Sequence, residues 1–241
     1  MPAFEAGRSL KRGERVMLGG TPAAHHIADV LRARHGERIV LFHAGELYDA
    51  IVEDASRSGL AVSVDGVRQS SFSSHPITLL QAIIRPALLD DVVHICAPLG
   101  VSRFVLYGAE RSQPWNVAGR LERLGQVALS SAEQAETGDV PTVEAATGLQ
   151  SALSCAGPVD AVIMMSPRAA STMTARVCDG SLALGGSVAV VVGPEGGFSE
   201  AEEALLVERG ALAVRLSAGI LRSELAGFAA ILMVRELQAT P

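Results

Sequence analysis

The apolar positions of this chain change their rhythm near residue 77. Before it, short runs at 15–18, 38–43, 47–53 and 60–65 have strand composition, punctuated by Gly36, Gly45 and Gly59. One helix is expected over 22–34, where Ile27, Val30 and Leu31 share a face. This mixture predicts a small β-barrel over residues 1–70. The polar, Ser-rich stretch around 71–76 reads as a linker.

From 77 to 241 strands and helices alternate. The expected strands are 77–83, 103–107, 159–165, 187–192 and 212–216. The expected helices are 87–97, 117–136, 144–155, 168–178, 200–209 and 223–237, with Pro98 stopping the first of them. Repeated β–α units predict an α/β domain with a mostly parallel sheet between helices.

The stretch 187–209 is the most informative. Ser187 to Val192 is an almost unbroken β-branched run, as in a parallel strand covered on both faces. Gly193, Gly196 and Gly197 follow, and they let main-chain groups approach a ligand closely. Ser199 with Glu202 fits a capping box, which places a helix start near Glu200. Open α/β sheets bind small molecules at such strand ends. The same pattern also describes a plain strand-to-helix connection. It is neither GxGxxG nor a Walker A loop, because no Lys-Ser/Thr pair follows the glycines.

Composition narrows the classes. The cysteines Cys96, Cys155 and Cys178 are far apart and form no CxxC or Cys/His cluster, so neither a metal site nor a disulfide framework is expected. No signal-peptide core opens the chain, and no apolar run is long enough to span a membrane, so a cytoplasmic location is expected. The net charge of −6 argues against promiscuous nucleic-acid binding. Residues 1–43, however, hold seven Lys/Arg against four Asp/Glu, together with His25, His26, His35 and His43. That end is therefore the better candidate for phosphate contacts, from His25 and Arg32 in particular, the alternative being a solvated surface of mixed charge. Tyr107 and Trp115 are of the type that stacks on a base, or packs in a core or rim.

GPEGGFSEAE (193–202) together with ILRSE (220–224) resembles the SPOUT superfamily of knotted RNA methyltransferases, and more narrowly the ribosomal RNA small-subunit methyltransferase E family. HHIADVLRARHGERIVLF (25–42), LERLGQVALSSAEQ (121–134) and Val140-Pro141 are similar to further stretches of that family, as are Gln81-Ala82, Leu99-Gly100-Val101 and Glu110-Arg111-Ser112. The resemblance implies a PUA-like β-barrel followed by a SPOUT-type α/β domain with a deep C-terminal trefoil knot. It implies S-adenosylmethionine as cofactor, 16S rRNA or the small ribosomal subunit as partner, methylation of a uridine N3, and a homodimer.

Carried over by position, the cofactor would lie against Gly193, Pro194, Glu195, Gly196 and Gly197. Leu216, Ile220 and Leu221 would form a second wall, and Met165, with its neighbour Met164, a third. Arg222 would support negative charge on the target base, because its guanidinium is permanently charged and forked. Glu224 would orient Arg222 or stabilise a helix amino terminus. Several of the family's basic stretches are replaced, by Arg85-Pro86-Ala87-Leu88 for example and by Glu136-Thr137-Gly138-Asp139. A non-catalytic RNA-binding or ribosome-assembly factor on the same scaffold is the alternative reading. An enzyme that binds another nucleotide at the glycine turn is a third.

Overall fold

A computed structural model describes residues 3–18, 34–56, 59–70, 72, 74–113, 117–135, 137–216 and 219–239. The helix expected at 22–34 and Trp115 lie outside the described residues, apart from residue 34 itself. The chain divides into two compact units, 1–73 with 132–140, and 74–131 with 141–241.

The first unit holds β1 (Ala3–Glu5), β2 (Arg15–Leu18), β3 (Arg38–His43), β4 (Glu46–Ser56) and β5 (Gly59–Gln69). They form one sheet in the order β1-β3-β4-β5-β2, antiparallel except for the β1–β3 pair. β4 and β5 continue past the expected runs because register shifts at Asp49/Ala50 and Val52/Asp54 bend the pair, and a bend lets a long ribbon keep one face on a small core. β1 was not foreseen, since three residues are too few to show a period.

Phe4, Ile39, Leu41, Tyr48, Val52, Leu60 and Val62 bury the inner face. The opposite face of β3 and β4 is apolar too, with Ala3, Val40, Phe42 and Leu47 packed together and Val140 against them. This explains why 132–140, placed by sequence in the 77–241 segment, clusters with the first unit. The main chain seals that contact: Ser70 N–H donates to Gly45 O at 2.8 Å, Gly45 N–H donates to Gly138 O at 3.1 Å, and the Ser70 hydroxyl donates to Thr137 O.

Gly138 has φ +84°, and a Cβ there would come within 2.7 Å of Ser70 Cβ. A side chain at this position meets both backbone strain and a clash. Gly138→Val is expected to lower unfolding free energy by about 2–4 kcal/mol, read from urea unfolding.

The second unit contains β6 (Ile77–Ala82), α1 (Pro86–Cys96), β7 (Val101–Tyr107), α2 (Leu121–Ala135, whose last turn belongs to the first unit), β8 (Thr142–Ala146) and α3 (Leu149–Ala156). They are followed by β9 (Ala161–Met165), α4 (Met173–Cys178), β10 (Val188–Val192), α5 (Glu200–Glu208), β11 (Leu212–Val214) and α6 (Ser223–Ala239). The sheet order is β11-β9-β10-β6-β7-β8, and every pair is parallel. β6 and β10 are buried along their whole length in the middle of the sheet, as their unbroken apolar runs require. Leu79, Val190 and Phe104 meet α1 and α6 on one face, while Leu80, Val191 and Val105 meet α3 and α5 on the other.

Three elements of this unit differ from the sequence reading. Residues 142–146 are an edge strand rather than the start of a helix. Their exposed, polar character (Thr142 and Glu144) hides the strand, and α3 begins only after Gly148. The helix expected at 168–178 is reduced to α4, because 166–172 is laced to the end of β11 and the residue after it: Ser166 N–H donates to Val214 O, and Arg215 N–H to Ser171 O. Before Pro98 the regular helix stops at Cys96, and a 3-10 turn over Ala97–Leu99 follows.

Candidate active site

The capping box forms as the sequence requires. Ser199 Oγ accepts from Glu202 N–H at 3.2 Å, and Glu202 Oε2 accepts from Ser199 N–H at 2.9 Å, so α5 starts at Glu200. Upstream, the turn from Gly193 to Phe198 leaves β10 and closes on itself through Gly197 N–H to Pro194 O at 2.9 Å. Gly197 sits at φ +71°, the left-handed conformation that glycine tolerates.

Several carbonyls at the end of β10 and in this turn accept hydrogen bonds from the protein. Val192 O accepts from the Tyr107 hydroxyl at 3.0 Å, and Gly193 O from the Ser223 hydroxyl at 2.6 Å. Arg111 Nη1 donates to Gly196 O at 3.1 Å and to Phe198 O at 3.0 Å. Among the described residues, the amides of Glu195 and Gly196 donate to no protein acceptor. The turn thus keeps two N–H donors without a protein partner while four of its carbonyls, those of Gly193, Pro194, Gly196 and Phe198, are held by the protein.

An open cleft of about 440 Å³ lies at the carboxyl ends of β9 and β10, inside the size range of small-molecule sites. Its first wall is the glycine turn: Gly193, Pro194, Glu195, Gly196, Gly197 and Phe198. Ile220, Leu221, Arg222 and Ser223 form the second wall, and Met165, Ser166, Pro167 and Arg168 the third. The arrangement suits an adenosyl group carrying an amino-acid tail: apolar side chains for the flat ring, unpaired amides for its acceptors, and charges at the rim. Three arginines, Arg111, Arg168 and Arg222, share that rim with Glu195 and Glu203. Among the described residues, no group of His, Cys, Asp and Glu could hold a metal ion.

Most of the residues expected at the site come together. Met165, the five residues 193–197, Ile220, Leu221 and Arg222 line this one cleft. Leu216 instead lines a small hollow of about 40 Å³ that shares Met165, Leu221 and Ala226 with the cleft. Met164 points the other way, into the core with Leu80 and Val191. Glu224 stands outside the cleft lining, in the first turn of α6. Its Oε2 is buried without a hydrogen-bond partner, and among the described residues no hydrogen bond or ion pair joins it to Arg222. His25 and Arg32 lie outside the described residues.

Tyr107 is not available to stack on a base. It is fully buried, and burial, with the Glu202 carboxylate adding to it, holds its phenol well above the usual range. The basic excess of the amino-terminal end is largely compensated where it is described: Arg8, Arg15 and Arg38 lie within 2.7, 3.2 and 3.4 Å of Glu14, Glu53 and Asp65. Arg85-Pro86 marks the start of α1, with proline at a first-turn position where a missing N–H costs nothing.

The sequence reading gives four contributors no place at the site. Tyr107 and Arg111 donate to carbonyls at the end of β10 and in the turn, Gln81 reaches Ser223 beside it, and Arg168 lies where a helix is expected. A polar glutamine in the otherwise apolar 79–84 run was the one available signal.

Known proteins match this architecture along nearly its whole length. The RNA methyltransferase domain family matches residues 72–235, and the RNA methyltransferase PUA domain family matches residues 18–65. A ribosomal RNA small subunit methyltransferase E from Mycobacterium bovis is 31% identical over 217 residues, covering 86% of this chain and 80% of that relative. The chain belongs to the ribosomal RNA small-subunit methyltransferase E family. Another member, from Rickettsia conorii, is 26% identical over 232 residues, which is 95% of this chain and 92% of that protein. The crystal structure of a family member from Neisseria gonorrhoeae, bound to S-adenosyl methionine, superposes with a TM-score of 0.82 at 29% identity and covers 98% of both chains.

Proposed function

We propose that this methyltransferase E family member is an enzyme that uses S-adenosylmethionine to methylate N3 of a uridine in 16S rRNA. One observation carries the reading: the glycine turn, the 219–223 segment and the end of β9 close around a single cleft, in a chain that shares its fold and 29% identity with a protein crystallised with that cofactor. We assign the chain to the SPOUT superfamily, with a PUA-like barrel over 1–70, a linker at 71–76 and a trefoil-knotted domain over 77–241. The all-parallel order β11-β9-β10-β6-β7-β8 and the RNA methyltransferase domain match over 72–235 support the placing of that second domain. A homodimer paired through the knot region and a cytoplasmic location complete it. The exposed Leu225, outside the cleft lining, and Ile220, which stands largely exposed on its second wall, supply an apolar surface for such pairing.

When bound, S-adenosylmethionine supplies an electrophilic methyl group on a sulfonium sulfur. The chain's work is then to position, because the leaving group is already good. The free amides of Glu195 and Gly196 hold acceptor atoms, and Met165, Leu221 and Phe198 exclude water from the apolar part. The neutral imide nitrogen of uracil is a poor nucleophile, so its N3 proton would pass to solvent, and methyl transfer would break the S–CH3 bond and leave an uncharged thioether. Arg222, at the rim, donates to a uracil oxygen and stabilises the negative charge that develops there. Arg168 and Arg111, on the same rim, are placed for phosphates of the target strand. His25 and Arg32 are assigned to further RNA contacts. Glu224 is assigned to the helix amino terminus, where its charge is favourable, rather than to orienting Arg222.

The test is incubation with methyl-labelled cofactor and small subunits lacking the modification, followed by nucleoside mass spectrometry. One N3-methyluridine per subunit is expected. RNA association without label in the RNA would replace the enzyme by a non-catalytic binding factor.

A further inference from the structure

Gln81 is the most thoroughly buried polar side chain near the cleft. It sits on β6, in the centre of the sheet, at 0% exposure. Its Nε2 donates to Ala82 O at 3.1 Å and to Ser223 Oγ at 2.9 Å. The amide orientation is fixed by chemistry: a carbonyl such as Ala82 O can only accept, so the atom facing it must be the nitrogen. Ser223 Oγ therefore accepts from Gln81, and its single hydrogen must point to Gly193 O. The result is a directed chain, Gln81 to Ser223 to Gly193, that starts in the core and ends on the glycine turn.

The order of these residues matters for the cleft. Gly193 begins one wall and Ser223 ends the facing one. The Ser223 hydroxyl ties the two together through its hydrogen bond to Gly193 O. Left alone, a serine hydroxyl at a helix start rotates among several acceptors; the Gln81 donor removes that freedom. Apart from Ser223, Gln81 reaches only the carbonyl of its own neighbour Ala82, and its buried Oε1 accepts no hydrogen bond. Gly227 brings α6 in close over it, with a would-be Cβ only 3.2 Å from Oε1. A buried amide with an unpaired oxygen is costly to keep for stability alone.

We propose that Gln81 is a positioning residue: through the Ser223 hydroxyl it fixes the Gly193 carbonyl and sets the two walls of the cleft at the separation S-adenosylmethionine requires. The proposal rests on the cofactor assignment above. Gln81 touches neither cofactor nor base; it acts on both through the main chain of the turn.

Calorimetry on the full-length protein with S-adenosylmethionine, and with its demethylated product, tests it. Gln81→Leu and Ser223→Ala should each weaken binding roughly tenfold or more, as expected for loss of a buried hydrogen bond. Ser223→Thr, which keeps the hydroxyl, should retain near wild-type affinity. The double variant Gln81→Leu/Ser223→Ala should bind no more weakly than Ser223→Ala alone, since both act through one hydrogen. The melting temperature of ligand-free Gln81→Leu should stay within a few degrees of wild type, because an apolar side chain of similar size replaces a half-satisfied amide.

Unchanged affinity in Gln81→Leu would overturn the proposal, and so would an equal loss in Ser223→Thr and Ser223→Ala. Gln81→Met repeats the test with a second apolar side chain if the leucine variant fails to fold. A wild-type protein that binds neither ligand would remove the cofactor assignment as well, whereas binding by wild type with no effect of Gln81→Leu would sink the positioning role by itself.

Discussion

Arg222→Ala should lower the rate of methyl transfer by about 10²–10³-fold, the usual loss when one donor to a developing oxyanion is removed. Cofactor affinity should change little, because Arg222 is exposed at the rim whereas the apolar side chains proposed to grip the adenosyl group are Met165, Leu221 and Phe198 of the cleft lining. Single-turnover methylation at saturating cofactor separates the two quantities. Arg222→Lys tests geometry against charge: it keeps the cation and loses the fork, so only part of the rate should return. Equal losses in cofactor binding and rate would place Arg222 on the cofactor instead of the base. Its position one residue before α6 also sets it at the positive end of a helix, where a cation is mildly disfavoured, so a structural gain from this arginine is small.

Gly196→Val should abolish measurable cofactor binding, with a loss of about a hundredfold or more, while the protein still unfolds cooperatively near its wild-type temperature. An added Cβ at this position would meet Arg111 Cβ at 3.1 Å. The arginine would have to give way, and with it the donors to Gly196 O and Phe198 O. The loop 109–112 is further tied to α5 by Glu110 N–H donating to Glu202 Oε1 at 3.0 Å, so the strain is delivered to the turn rather than dissipated. Calorimetry and a thermal melt of the same preparation check both halves. Arg111→Ala is the milder companion, expected to weaken binding without blocking the cleft. Retained affinity in Gly196→Val would mean that the turn does not contact the cofactor.

What could be read from the sequence follows from where the information lies. The strand, turn and helix at 187–209 were legible because every determinant is local: a β-branched run, three glycines, and a cap whose two partners are three residues apart. The gathering of 193–197 with 220–222 was legible only through family resemblance, since nothing in either segment names the other. The network that fixes the turn was not legible at all. Gln81 and Ser223 are separated by 142 positions, and Tyr107 reaches a carbonyl 85 positions away. Such pairs exist only once β6, β7 and β10 are adjacent. β8 escaped for a different reason, since an exposed edge strand needs no apolar run. Arg168 was misplaced because hydrogen bonds to the end of β11 and the residue after it overrode the helical reading of 168–172.

The return of 132–140 to the first sheet bears on how this protein comes off the ribosome. When residue 73 has been synthesised, all five strands of that sheet exist, yet Val40, Phe42 and Leu47 still await Val140. Among the described residues, the nascent amino-terminal unit therefore lacks this cover on its oily stripe until translation has passed the end of α2. A fragment cut at the linker loses the same cover and is expected to clump more readily than one supplied with the distant segment.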